Sequence, residues 1–462
     1  MLQDRYEKDK LFEGILQLTH EMDPILAKID QVLADEKLYQ MIRQDLAKRF
    51  AHTEETGRNS TPVEVVERML AVKHLYGLSY EQTEYQVRDS LVLRQFCRVY
   101  LEDVPDDTTL IRWAGVIQPE TLQRFNERLI ELARQLKVTQ GRKLRTDGTV
   151  VETNIHPPSD SSLLADSVRV IGRTLQRAKQ VVTETEQLRK DVFRNRIRRV
   201  RQMARQVGEA MRKGGETAQT EGKAAYQKLV KATQATVQQA KQVLPVLRKT
   251  ATPQAKKLAQ TLETFLPRAE QVIQQTVRRV FHDEQVPVQE KILSLFEPHT
   301  TIIRRDKART PLEFGRKVWF SEVEGGMVSR WEVLQGNAND KKQWLPSVDH
   351  HIQLFGKPPE QASADRGVYS IRNESRAKKR GVKHVILPKP GYKSEERKQY
   401  EKQSWFVRGR HWHNGIEGRI SVLKRCFDLD RCLDHGETGF EKWVGWGVIA
   451  NNLRVIGRKC AV

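Results

Sequence analysis

Apolar residues fall along this chain in two rhythms. Between Lys143 and Pro157 they follow a strand habit: Leu144, Val150, Val151 and Ile155 are β-favouring residues, and the run stops at Pro157-Pro158, which cannot continue a ladder. The stretch predicts a short strand that delivers Asp147 to a turn at Gly148; Asp-Gly is equally an ordinary hairpin turn. Most of the remainder follows a helical rhythm. Over residues 1–57, Ile15, Leu16, Leu18, Ile25, Leu26, Ile29, Val32 and Leu33 form a loose apolar stripe, which predicts a helical arm packed on its neighbour or on a second copy. Thr61-Pro62-Val63-Glu64 reads as a capping box, Gly77 as a left-handed helix end, and Ser79-Tyr80-Glu81-Gln82 as a second capping box. With a further helix from Asp107, residues 58–138 predict a helical region of helix-turn-helix pattern, or a plain helical hairpin. There Arg88, Arg94, Arg98 and Arg112 can meet phosphates or form a solvated face.

Ser159-Asp160 opens a long helical stretch, poor in aromatic residues, that reads as an insertion over 159–309. Tyr226, Val230, Thr233, Val237, Ala240 and Leu244 make a heptad-like stripe, and Gly214-Gly215, Pro245, Pro253 and Pro267 are expected to break the helices. A basic segment runs through Arg189, Lys190, Arg194, Arg196, Arg198, Arg199, Arg201 and Arg205. Strand patterns return at Lys317–Val323 and Val328–Leu334, joined at Gly325-Gly326. A helix to Phe355 follows, then a strand presenting Asp365, a helix, a strand at His384–Pro388, and helices from about Arg410. Without the insertion, this order predicts an RNase H-like α/β domain, a mixed sheet flanked by helices, built from 139–158 and 310–462. In that layout the strands carrying Asp147 and Asp365 are neighbours.

Charge narrows the partners. Lys and Arg number 80 against 59 Asp and Glu, a formal net charge of +21, which points to a polyanion. No apolar run approaches a membrane span, and no signal peptide is recognisable, so nucleic acid is expected rather than a membrane. Cys97, Cys426, Cys432 and Cys460 form no CxxC pair, which fits a reducing cytosol.

The candidate chemistry lies in three acids. Glu417 and Lys424 are seven residues apart, two helical turns, and share a face with His413 and Asn414. A helix docked by Ile420, Leu423 and Phe427 brings Glu417 toward Asp147 and Asp365. Three carboxylates suit two Mg²⁺ ions (or Mn²⁺) about 4 Å apart for phosphoryl transfer. Lys424, Arg419, Arg425, Arg410 and His413 are expected on DNA phosphates, and Arg198, Arg199 and Arg201 along the insertion as well. His411 and His413 lack a third zinc ligand nearby.

Thr146-Asp147-Gly148-Thr149-Val150-Val151-Glu152-Thr153-Asn154, Ala364-Asp365-Arg366-Gly367, Asn414-Gly415-Ile416-Glu417 through Lys424-Arg425, and Ile449–Arg454 resemble DDE-type bacterial insertion-sequence transposases, close to the ISNCY group. The helices from Ser60 to about Arg124 resemble that family's DNA-binding region. The resemblance implies a catalytic triad of Asp147, Asp365 and Glu417 that binds two Mg²⁺ ions. It also implies binding to the element's terminal inverted repeats, strand cleavage and 3′-hydroxyl joining to target DNA. A homodimer or larger assembly on DNA, associated with the bacterial nucleoid, is expected. Related proteins often carry Tyr and Arg seven and four residues before the Glu; Arg410 and His413 stand there instead. The alternatives are an RNase H-like nuclease that does not rejoin, and a transposase-derived DNA-binding protein without catalysis.

Overall fold

Leu144, Val150 and Val151 bury against a sheet, as their β-branched and apolar side chains dictate. The computed structural model describes residues 1–19, 22–50, 52–56, 59–182, 190–213, 216–304 and 312–461. Its strands are β1 (Lys143–Thr153), β2 (Thr301–Arg304), β3 (Leu312–Val323), β4 (Met327–Val333), β5 (Gln361–Ala364), β6 (His384–Ile386) and β7 (Arg431–Cys432). The chain divides into two compact units, Met1–Asn154 with Arg316–Val462, and Ile155–Gly315.

In the first unit the sheet runs β4-β3-β1-β5-β6, with β7 also paired to β1. The β3–β4 pair is an antiparallel hairpin turned at Gly325 and Gly326, both with positive φ. β1, β5 and β6 are parallel. β5 buries the small residues Ala362, Ser363 and Ala364, whereas β1 buries Leu144, Thr146, Thr149, Val150 and Val151 and leaves Arg145 and Asp147 partly exposed. The expected turn at Gly148 is absent, because β1 continues through it to Thr153. A Cβ there would lie 3.0 Å from Lys317 Cε and 3.3 Å from Trp319 Cε3, so glycine serves the close approach of β3.

The N-terminal helices also differ from their sequence reading in detail. Val63–Tyr76 begins with Pro62 at the N-cap and no side-chain cap bond, so the first capping box does not form; proline has taken the capping position. Gly77 ends that helix at φ 65°, and the Ser79–Gln82 capping box forms in both directions. The Val63–Tyr76 helix is a core element. Its buried residues include Glu67, Arg68, Lys73 and His74, and Arg68 is held by Asp30 at 2.6 Å, Glu64 at 3.1 Å and the Phe96 carbonyl at 3.1 Å. Arg94 and Arg98 are likewise tied inward, to the carbonyls of Tyr100 and Glu102 and to Asp30, and Arg88 pairs with Glu84, while Arg112 is exposed. The closing helix, Gly436–Cys460, is buried along most of its length. Its Asn452 accepts from the Val328 amide at 2.9 Å and donates to Asn126 at 2.7 Å, joining the hairpin to the Pro119–Gln135 helix.

The second unit is a helical bundle of Asp160–Val182, Ile197–Lys213, Glu216–Lys249 and Pro253–Phe281, followed by β2 paired to the start of β3. Tyr226, Val230, Thr233, Val237 and Ala240 are buried and Leu244 is partly so, as the heptad stripe requires. Pro253 starts a helix behind the Thr252 cap. Pro245 and Pro267, in contrast, lie inside helices. Each removes one backbone bond, and buried neighbours such as Val243, Leu247, Leu266 and Ala269 hold the helix together across it. The proposed break at Gly214-Gly215 and Arg189 lie outside the described residues.

Candidate active site

Strand register brings the first two acids together. Thr146 pairs with Ala364 in the parallel β1–β5 ladder, so Asp147 and Asp365 are each the next residue on neighbouring strands, which run about 4.8 Å apart. The ladder ends there. The chain leaves β5 through a 3₁₀ turn at Arg366–Val368, which frees the Asp365 carboxylate, 66% exposed, at the sheet's edge.

The two carboxyls titrate differently. Burial, then the charge of Asp365, pushes Asp147 up to about 6; the Gly148 amide donates to its Oδ1 at 2.7 Å and only partly offsets this. Asp365 is held below the usual carboxylate range by a hydrogen bond from His413 Nε2 at 2.9 Å. A carboxylate only accepts, so Nε2 carries the proton. His413 Nδ1 is buried with no hydrogen-bond partner. His413 thus positions an acid rather than facing solvent. A third acid also raises Asp147: Asp340, the first residue of the Asp340–Phe355 helix, whose Oδ1 lies 2.5 Å from Lys317 Nζ. Sequence reasoning missed Asp340, since an acid at a helix start is too common a pattern to single out.

Glu417 lies on the Ser404–Cys426 helix, one turn beyond His413 and on the same face, with its side chain exposed. That helix starts earlier than Arg410. A buried ionic knot holds it down. Glu322, 1% exposed, accepts two bonds from Arg145 at 2.8 Å each, and lies 3.3 Å from Arg419 Nε. Arg145 also donates to the Trp412 carbonyl and stacks on the Trp412 ring, 4.7 Å from its centroid. Arg419 donates to Asn451 Oδ1 at 2.9 Å, so its guanidinium is turned inward. Lys424 Nζ lies 3.6 Å from Asp430 Oδ1, and Arg410 and Arg425 are exposed. Arg198, Arg199 and Arg201 are exposed on the Ile197–Lys213 helix of the second unit.

The structure therefore brings Asp147 and Asp365 together, with His413 and Asp340 beside them. Among the described residues, no group of three or more His, Cys, Asp or Glu is gathered closely enough to hold a metal ion. A buried carboxyl raised by a like charge is nonetheless a fit for a cation, which would relieve both burial and repulsion.

Among the described residues, no helix is long and apolar enough to cross a membrane. No curated protein and no solved structure matches the chain. Residues 15–115, the N-terminal helices, match the family of transposase domains DUF772, a similarity that supports a transposase.

Proposed function

We propose that this chain is a DNA strand-transfer enzyme of the DDE type, with Asp147, Asp365 and Glu417 as its catalytic acids. The single observation that carries the reading is the register of β1 and β5, which sets Asp147 beside Asp365. The strand order supports an RNase H-like domain. Counting β1, β3, β4, β5 and β6 as first to fifth, the sheet reads third, second, first, fourth, fifth, with β3–β4 antiparallel and β1–β5 and β5–β6 parallel. The match to a transposase domain supports DNA as the substrate.

Asp147 and Asp365 would hold Mg²⁺ (or Mn²⁺), and Glu417 joins them from the face of the helix that already touches Asp365 through His413. When bound, the two ions would activate an attacking oxygen and stabilise the leaving one. His413 fixes the Asp365 carboxylate, and the Glu322 knot fixes the helix that carries His413 and Glu417. Exposed Arg410 and Arg425, with Lys424 at the same helix's end, are placed for phosphate backbone; the inward-turned Arg419 serves the knot instead. The substrate ends are the terminal inverted repeats of an insertion sequence, and a dimer or larger assembly pairs them.

The test is cleavage and joining of a labelled duplex carrying the element's own end, with Mg²⁺, comparing wild type with Asp365→Asn. Joined product from wild type alone supports the reading. Cut but unjoined product indicates a nuclease, equal activity in both proteins removes Asp365 from the site, and binding without chemistry leaves a DNA-binding protein.

A further inference from the structure

The second unit, residues 155–315, carries 30 Lys and Arg against 16 Asp and Glu, a net +14 of the chain's +21. On its Ile197–Lys213 helix, Val200, Met203, Val207 and Ala210 face the unit's core. Arg198, Arg201, Arg205 and Arg212 follow at steps of three, four and seven residues, which at 100° per residue places all four in one stripe on the opposite, exposed side. Among the described residues none of the four makes a hydrogen bond or ion pair, whereas Arg68, Arg128, Arg145, Arg278 and Arg397 are all paired with acids. Glu209, at the stripe's margin, is the one acid on this helix. Arg199 projects to another side.

We propose that the second unit is a grip for duplex DNA that is independent of base sequence, with the Arg198, Arg201, Arg205 and Arg212 stripe as its contact. The proposal rests on the reading that DNA is this protein's substrate. The stripe is about 21 Å long at ~1.5 Å per residue, the rise of roughly six base pairs. Guanidinium groups suit phosphate because their planar fork donates two bonds at once. A membrane surface is a poorer match. A helix lying on lipid needs its apolar face free, and here that face is spent on the core.

The test uses the full-length chain and a random-sequence duplex without divalent ions. Affinity is measured across a salt series for wild type and for R198Q/R201Q/R205Q/R212Q. The control is K228Q/K231Q/K256Q/K257Q, which removes the same charge from exposed lysines of the same unit. Glutamine keeps helix propensity, and a thermal melt confirms folding. Each phosphate contact contributes about 0.9 to the salt slope, so the stripe variant binds more weakly at low salt, loses about 3.6 from the slope, and falls about 150-fold less than wild type over a fourfold rise in salt. The control changes little. Three results overturn the proposal: an unchanged slope in the stripe variant, equal losses in stripe and control, or stripe-dependent capture of polyglutamate, anionic vesicles or duplex RNA in preference to DNA. Joining of element ends is read in a separate assay. Failure of strand transfer therefore leaves this measurement standing, and the reverse also holds.

Discussion

Asp147→Asn is expected to stabilise the protein at pH 8 and to leave it unchanged near pH 4. Burial and the charge of Asp365 raise the Asp147 carboxyl from 3.8 to about 6. In the unfolded chain it ionises near 3.9. Between those values the folded protein holds a proton that the unfolded chain has lost. Wild-type stability therefore falls as pH rises from about 4 to about 6, and stays lower above. A shift of ~2 units at 1.36 kcal/mol each amounts to about 3 kcal/mol. Asparagine carries no charge to bury, and its oxygen still accepts from the Gly148 amide. Groups that do not face Asp147 titrate alike in both proteins and cancel in the difference. Paired urea denaturations at pH 4 and pH 8, without divalent ions, read that difference. It should be near zero at pH 4 and reach about 3 kcal/mol in favour of the variant at pH 8. Adding Mg²⁺ should narrow the gap by stabilising wild type alone. A gap equal at both pH values, or a variant less stable at pH 8, would refute the account of Asp147 as a strained charge.

Two other predictions follow from the groups around the acids. Glu322→Ala leaves Arg145 and Arg419 without their shared carboxylate, so it should lower stability by about 3–5 kcal/mol and abolish end joining even in melts cold enough to keep the fold; a melting temperature within 1 °C of wild type, on the order of measurement error, would show that the knot holds nothing. His413→Phe removes the hydrogen bond that holds Asp365 down, so the Asp365 carboxyl, followed by carbon NMR, should titrate at higher pH; an unmoved titration would assign the shift to another group.

The strands that carry Asp147 and Asp365 were legible because their signals are local. β-favouring residues before a proline stop located β1, the Gly-Gly turn located the β3–β4 hairpin, and a short apolar run located β6. The pairing of Asp147 with Asp365 was reached through the order of elements, since strands alternating with helices leave few arrangements of a sheet. What stayed hidden was tertiary. Arg419 was expected on DNA phosphates and Arg145 carried no expectation, and only the folded chain shows Glu322 between them. Gly148 looked like a turn residue because Asp-Gly so often is one, whereas its function is to admit Trp319. Pro245 and Pro267 carry a strong breaking signal, yet packing of the bundle outweighs one lost backbone bond each. β7 is two residues long, too short for any periodicity to register.

The β1–β5 ladder also sets a timetable for synthesis. Ser363 reaches back to the carbonyl of Leu144, 219 residues earlier in the chain. At about 5–20 residues per second, a ribosome needs roughly 10–45 s to supply that partner. β3, the strand on the other side of β1, is also made after the intervening helices. Until β3 emerges the nascent β1 has neither lateral neighbour, and its unpaired edge is open to pairing with other chains. The helices synthesised in between lengthen the closing loop at small thermodynamic cost, ~0.6 kcal/mol per doubling. Their larger effect is delay. An emerging chain carries Asp147 long before its neighbouring acid is made, and a message cut short before Asp365 never assembles the acid pair.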